Sequence, residues 1–275
     1  MVSKPSHQSF DKKFFVKIDN RLDKLRNELI RQKLHGFVVP RTDEHQGEDV
    51  ASSSERLKWI SGFTGSAGIA IISQTSAAIF VDGRYTIQVQ QEVPNDLYHI
   101  KHLSMQQVRQ WVSENIYDTQ IIGFDPWLMS HSQVRQYREA FELFGVKFLP
   151  VTKNPIDTAW VDRPSAPTAN IVSHPIKFCG KSSKVKRNEI VKVLKNSGQH
   201  AVVLSAPDSI AWLLNVRGSD LKYTPTPLSF GILYDDGEMD WFVNPDKIST
   251  ILKSDLDTNV HQRDPKEFTA VINQL

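Results

Sequence analysis

With a single cysteine, Cys179, the chain has no means to form an intrachain disulfide, and nothing in its cysteine usage points to an oxidising compartment. Long apolar runs are missing too. None approaches the ~18 residues of a membrane span, and the opening MVSKPSHQSFDKKFF is too polar for a secretory signal. Neither sign of charge dominates. Lysine and arginine number 33 against 31 acids, a formal balance of +2, which gives no electrostatic basis for nucleic acid or an anionic membrane as partner. The basic group Lys181, Lys184, Lys186 and Arg187 reads as a solvated linker and helix start. A soluble, cytoplasmic protein is expected. What is present, 40% apolar and 23% charged residues over 275 positions, suffices for two cores and carries no mark of disorder.

The most informative stretch is WISGFTGSAGIAIISQTSAAIFVDGRY, Trp59 to Tyr85. Gly62, Gly65, Ser66 and Gly68 mark irregular backbone. Two apolar runs, Gly68 to Ile72 and Ala78 to Val81, flank a turn at Gln74 to Ser76, which predicts a hairpin. Asp82-Gly83 then ends the second strand and presents Arg84 and Tyr85. Before this stretch, Ile18, Leu22, Leu25 and Leu29 share one helical face, with Asp19 or Asn20 expected as the cap and Gly36 as the stop. Residues 1 to 14 are expected to be an unstructured lead-in. Phe37-Val38-Val39 reads as a buried strand, followed by the polar loop RTDEHQGEDVASSSER, where Asp43, His45, Glu48 and Asp49 gather. A loop of that length inside a compact domain is a site candidate. After the hairpin, strand, helix, strand, helix and strand follow to Leu149.

Four prolines from Pro155 to Pro175 argue against helix or interior strand there, so a linker is expected, anchored at Ile156 and Trp160. The expected organisation is a first domain over 1–153, a proline-rich linker over 154–180 and a second domain over 181–275. That second domain repeats the first in order: helix (Ser183 to Asn196), strand (Ala201 to Leu204), a helix carrying Trp212, a glycine turn at Arg217 to Asp220, and a hairpin over 230–243. Asp208, Trp212 and Arg217 read as a packed tryptophan with an ion pair. The sequence stops where the first copy would add a strand, a helix and a strand, so the second domain is expected to be truncated and to expose a sheet edge.

Chemistry is harder to find. Gly62, Gly65 and Gly68 are spaced G-x-x-G-x-x-G and lead into a strand, whereas a phosphate loop needs a helix N-terminus. Ser66 lies in Gly-Ser-Ala-Gly before a strand, not in the strand-to-helix elbow of a hydrolase nucleophile. Asp43, His45 and Glu48 lack the converging partners of a metal site. Asp82, Arg84 and Tyr85 form the better polar cluster, in which the arginine either pairs an acid or reaches a ligand. Spacing alone shows a two-unit α/β protein without a visible catalytic centre.

The run Asp43-x-His45-Gln46-x-Glu48, Arg56, Trp59 to Gly68, Asp82-Gly83-Arg84-Tyr85 and Gln88 resembles the N-terminal domain of three-domain Xaa-Pro aminopeptidases (aminopeptidase P), relatives of creatinase and prolidase. The likeness continues through Asn154-Pro155-x-Asp157-x-x-Trp160-x-x-Arg163-Pro164, then through Asp208-x-Ile210-Ala211-Trp212-Leu213-x-Asn215-x-Arg217-Gly218-Ser219-Asp220 and Pro225. Asp49 departs from the tyrosine usual there. The resemblance implies an α/β fold of two duplicated creatinase N-terminal-like modules, each a mixed β-sheet flanked by helices. It also implies a metal-dependent hydrolase that removes the residue preceding proline, with two manganese or zinc ions held in a C-terminal catalytic domain. No position of this sequence matches those metal ligands, so neither a catalytic residue nor a cofactor is expected in this chain. Its implied roles are to shape access to the active site and to make subunit contacts, with the catalytic domain of the same polypeptide, a second copy in a homodimer and X-Pro peptides as partners. Asp43, His45, Arg84 and Tyr85 are the substrate-access candidates. The alternative is a stand-alone, non-enzymatic binding module with the same fold.

Overall fold

The computed structural model describes residues 12–275, with side chains from residue 15 onward. The chain divides into two compact units, Met1–Glu48 with Ser52–Ser165, and Asp49–Ala51 with Ala166–Leu275.

The first unit runs α1 (Lys12–Arg31), β1 (Gly36–Pro40), α2 (Arg56–Ser61), β2 (Gly68–Ser73), β3 (Ala77–Val81), α3 (Gln88–Glu92), β4 (His99–His102), α4 (Met105–Asn115), β5 (Ile121–Phe124), α5 (His131–Glu142), β6 (Lys147–Pro150) and α6 (Pro155–Ala159). The strands form one sheet in the order β4-β3-β2-β1-β5-β6. Only β2 runs against its neighbours; the pairs β1/β5, β5/β6 and β3/β4 are parallel. Alternate strand residues feed opposite layers, as the pleat requires. Phe37, Val39, Ala70, Ile72, Ile79 and Val81 meet α1, α2 and α6, while Val38, Ile69, Ile71, Ala78, Phe80 and Phe124 meet α4 and α5. Two cores on one sheet make a three-layer unit.

Several expectations need correction. Helix α1 already includes Asp19 and Asn20, so neither caps it, and the part of the expected lead-in before residue 12 lies outside the described residues. Its stop is Lys33, whose φ of 58° lies in the left-handed region. Gly36 instead opens β1, where a Cβ would stand 2.7 Å from Ile122 Cδ1 and 2.8 Å from the Ile72 carbonyl oxygen, so only glycine lets β1 sit this close to its neighbours. Trp59 belongs to a short helix, α2, for which the sequence carries no expectation. The proline-bearing stretch does hold a helix. Pro155 occupies the first turn of α6, where its missing N–H costs nothing, and the Asn154 side chain caps the Ile156 N–H.

The second unit runs β7 (Val172–Ser173), α7 (Ile176–Cys179), α8 (Ser183–Asn196), β8 (Ala201–Leu204), α9 (Pro207–Leu214), β9 (Val216–Arg217), β10 (Phe230–Tyr234), β11 (Met239–Phe242), α10 (Thr250–Asp255), β12 (Val260–Arg263) and α11 (Phe268–Ile272). Its main sheet has the order β12-β11-β10-β8, with β10 antiparallel to both neighbours and β11/β12 parallel. Order and strand sense both repeat β4-β3-β2-β1. The duplication read from the sequence is therefore a duplication of topology. Where β1 pairs with β5, β8 has no second neighbour among the described residues, and Val203 on it is 43% exposed.

Two side-chain readings change in this unit. Lys186 and Arg187 are buried rather than solvated. Lys186 Nζ donates to the Trp212 carbonyl (2.8 Å) and Asn215 Oδ1 (2.6 Å), closing the C-terminus of α9, and Arg187 pairs with Asp257 at 3.0 Å. Trp212 is half-exposed beneath the Lys186 ammonium. Arg217 donates to the Ala211 and Val216 carbonyls, and no ion pair with Asp208 is present among the described residues.

Candidate functional site on the carboxyl edge of the first sheet

Because β1, β3, β4, β5 and β6 run the same way, their carboxyl ends share one edge of the sheet, and β2 starts there. This is the edge on which open α/β sheets bind ligands. All four sequence candidates lie on it, after β1 (Asp43, His45) and after β3 (Arg84, Tyr85).

Asp43 is an organiser of its own loop. It is 1% exposed, and its Oδ1 accepts the N–H of His45 (3.1 Å) and of Gly47 (3.2 Å). Burial pushes its carboxyl above the ordinary value, opposed by the neighbouring His45 and these N–H groups. Gln46 takes a φ of 57° to close the turn, and its N–H returns to the Asp43 carbonyl. His45 is itself buried.

The hairpin end is more open. Asp82 Oδ1 accepts the Arg84 N–H at 3.0 Å, starting a short 3-10 turn, and its carboxylate takes Nε and Nη2 of Arg84. That pairing holds the Asp82 carboxyl below its usual range and strengthens the Arg84 charge, although the Arg84 side chain stays 64% exposed. Tyr85 packs its ring edge-on to Phe63 at 5.5 Å, under the Arg84 guanidinium at 5.3 Å. Its hydroxyl lies 2.8 Å from Ser66 Oγ, and bonding to Ser66 draws the phenol below its ordinary value.

Loop and hairpin end are joined through residues outside the four candidates. Ser66 Oγ, already bonded to Tyr85, also donates to Glu48 Oε1 at 3.3 Å. Arg41 Nε holds the Gly65 carbonyl at 3.2 Å behind them. Ser66 is dismissed as a nucleophile on its motif, and a bond across 19 positions has no periodic signal, so its role was not legible. A cleft of about 580 Å³ opens at the ends of β5 and β6, lined by Asp125, Trp127, Lys153, Asn154 and Asp157 among others.

Metal chemistry does not fit these side chains. Among the described residues no group of three or more His, Cys, Asp or Glu side chains converges, and the Asp43 carboxylate is taken up by backbone N–H groups.

Fold and rim together define a duplicated mixed-sheet α/β protein whose polar groups sit on one edge of the first sheet. Residues 21–159 and residues 162–275 each match the creatinase/prolidase N-terminal domain, and the chain belongs to that family. Among its relatives, the probable Xaa-Pro aminopeptidase P of Paracoccidioides lutzii is 35% identical over 248 residues, 89% of this chain and 40% of that protein. Aminopeptidase P1 of Lotus japonicus is 32% identical over 256 residues, 92% of this chain and 38% of that protein. The chain thus spans about 40% of the length of the curated relatives it matches. An X-prolyl aminopeptidase from Caenorhabditis elegans, described as a cytosolic enzyme with a di-nuclear active site, superposes with a TM-score of 0.86 at 24% identity, over 94% of this chain and 44% of that one. At that identity the likeness concerns the fold. No helix among the described residues is long and apolar enough to cross a membrane.

Proposed function

We propose that this chain is the non-catalytic N-terminal part of an Xaa-Pro aminopeptidase, shaping the approach of peptides to a catalytic domain and contributing to subunit contacts. The observation that carries this is the pair of consecutive creatinase/prolidase N-terminal domains, which together match only about 40% of relatives named for removal of the residue before proline. The reaction, its pair of divalent metal ions and its X-Pro peptides belong to the remainder of the longer polypeptide. A tertiary X-Pro amide calls for a site that activates water and polarises the carbonyl together, which a pair of metal ions can do. Within this chain, the loop after β1 and the end of the β2–β3 hairpin are the groups facing the incoming peptide.

The test compares the 275-residue chain with the longer polypeptide on a Gly-Pro-containing peptide, with manganese or zinc supplied. Release of the N-terminal glycine by the longer polypeptide, and none by the chain alone, is the expected result. Release by the 275-residue chain itself would overturn it.

A further inference from the structure

Three of the outer strands in the two main sheets carry residues that discourage a further strand. β4 holds His99, Lys101 and His102, β6 holds Lys147 and Pro150, and β12 holds His261 and Arg263. The remaining outer strand, β8, reads Ala-Val-Val-Leu, without a charge or a proline. Its free side also presents unmet backbone groups. The Asp235 N–H donates to the His200 carbonyl, and bonded pairs alternate along an antiparallel ladder. Val202 and Leu204 therefore bond toward β10, while the N–H and C=O of Ala201 and Val203 point away from it.

The first unit shows what such an edge holds. Val38 stands opposite Ile71 and Ile71 opposite Ala78, as Val203 stands opposite Ile232 and Ile232 opposite Asp240. Ala78 and Asp240 lie at the same offset from the residues that cap the next 3-10 turn, Asp82 and Asn244. Val203 is thus the counterpart of Val38, and Ala201 of Gly36. In the first unit β5 runs parallel to β1 and sets Ile122, Gly123 and Phe124 against Gly36, Phe37 and Val38. Val38 is fully buried there, in the layer of α4 and α5, whereas Val203 is 43% exposed. Helix α11 follows β12 as α4 follows β4, and its Phe268 packs on Phe230 and Phe242. No counterpart of β5 or α5 is present among the described residues.

We propose that β8 is the docking edge for residues that follow Leu275 in the longer polypeptide, which enter as a strand parallel to β8 and return as a helix over Val203. The proposal rests on the reading of the chain as the N-terminal part of such a polypeptide. Side-chain size sets what this strand can be. A Cβ on Gly36 would stand 2.7 Å from Ile122 Cδ1, so an isoleucine in that place would collide with Ala201, and the incoming strand carries a smaller residue there. At the next position the restriction is relieved. A Cβ on Gly123 would press on Phe37 Cδ2 at 3.1 Å, and the smaller Val202 stands where that phenylalanine does, so a side chain fits. A second copy offers only its own four-residue β8, antiparallel by two-fold symmetry, and α9 after it is already committed to the opposite face.

Hydrogen exchange over residues 200–205, resolved to single amides by mass spectrometry, compares the 275-residue chain with the longer polypeptide. The Ala201 and Val203 amides are expected to exchange on the order of a hundredfold more slowly in the longer polypeptide. Val203→Lys is expected to melt like the unsubstituted 275-residue chain, where the side chain is half-exposed, and to erase that protection in the longer polypeptide. Val38→Lys, at the occupied counterpart, should destabilise the first unit in both. Equal exchange in the two polypeptides would overturn the proposal, as would protection in the 275-residue chain that grows with concentration, the sign of a second copy. So would protection that survives Val203→Lys, or residues beyond Leu275 that offer no apolar strand with a small residue ahead of a helix. If the longer polypeptide cleaves X-Pro peptides while Val203 stays open in it, only this inference fails. If Val203 is protected and the longer polypeptide cleaves nothing, only the functional reading fails.

Discussion

Arg56 and Asp157, 101 positions apart, form a two-pronged ion pair with Nε to Oδ1 at 2.7 Å and Nη2 to Oδ2 at 2.9 Å. The Arg56 side chain is 7% exposed, and Arg163 joins Asp157 from the other side at 2.7 Å while its Nε takes the Ser53 carbonyl. This triad ties α2 and the loop before it to the segment after β6. Removing the guanidinium leaves a carboxylate with half its partners in a confined site. Arg56→Ala is expected to destabilise the first unit by about 3 kcal/mol, and Arg56→Lys to recover only part of that, because an ammonium cannot supply two parallel bonds. Urea unfolding followed through the first unit measures both. A loss no larger than that of an exposed pair would refute the assignment.

Trp160 carries the same junction in apolar terms. It stacks on Trp59 with ring centroids 5.5 Å apart and 19° between planes, and Ile156 beside it is fully buried. Trp160→Ala should cost about 3 to 5 kcal/mol. We propose accordingly that the first domain needs residues 154–165 to fold. A polypeptide ending at Ser165 is expected to unfold cooperatively, and one ending at Lys153 to lose stability and expose Trp59. Identical melting of the two would place the domain end earlier.

Asp43 predicts a pH effect of definite sign. Burial raises its pKa above 3.8, so between 3.8 and the raised value the folded state holds a proton that the unfolded chain has lost. Stability from this group therefore falls as pH rises through that window and stays lowered above it. Asparagine keeps an oxygen for the His45 and Gly47 N–H groups without the buried charge. Asp43→Asn should gain stability relative to the unmodified chain as pH rises from about 4 to about 6. A denaturation series in which the variant loses ground over that range would contradict this.

Gly65 tests the clamp on Tyr85. A Cβ there would stand 2.3 Å from Phe63 Cζ and 2.8 Å from Tyr85 Cδ1. Gly65→Ala should cost about 1 to 3 kcal/mol by overpacking, and it should displace the Tyr85 ring from Ser66. Unchanged Tyr85 resonances in that variant would show the ring is not held as described.

Elements with a local signal were legible, and those fixed by distant partners were not. The β2–β3 hairpin announced itself through two apolar runs around Gln74 to Ser76, and β8, β10 and β11 did so again in the second unit. Helix α2 was missed because six residues give too short a period, and what holds it is tertiary: Arg21 donates to the Trp59 carbonyl and Tyr98 to the Ile60 carbonyl. Lys186 looked solvated because burying an ammonium depends on acceptors 26 and 29 positions away. At the rim, sequence found the two segments but not the link between them. Asp43 and His45 turned out to face inward, while Ser66 and Glu48 make the connection.

The antiparallel β2 has one more effect. Since the chain re-enters the sheet there on the side where its neighbours exit, the segment between β1 and β2 both begins and ends at the rim, and its length is free of the strand register. The two copies already sample that freedom: residues 41–55 separate β1 from α2, while only residues 205–206 separate β8 from α9, over sheets of matching order. Recognition on this edge can therefore be rewritten by insertion and deletion while the framework beneath it keeps the same pairing.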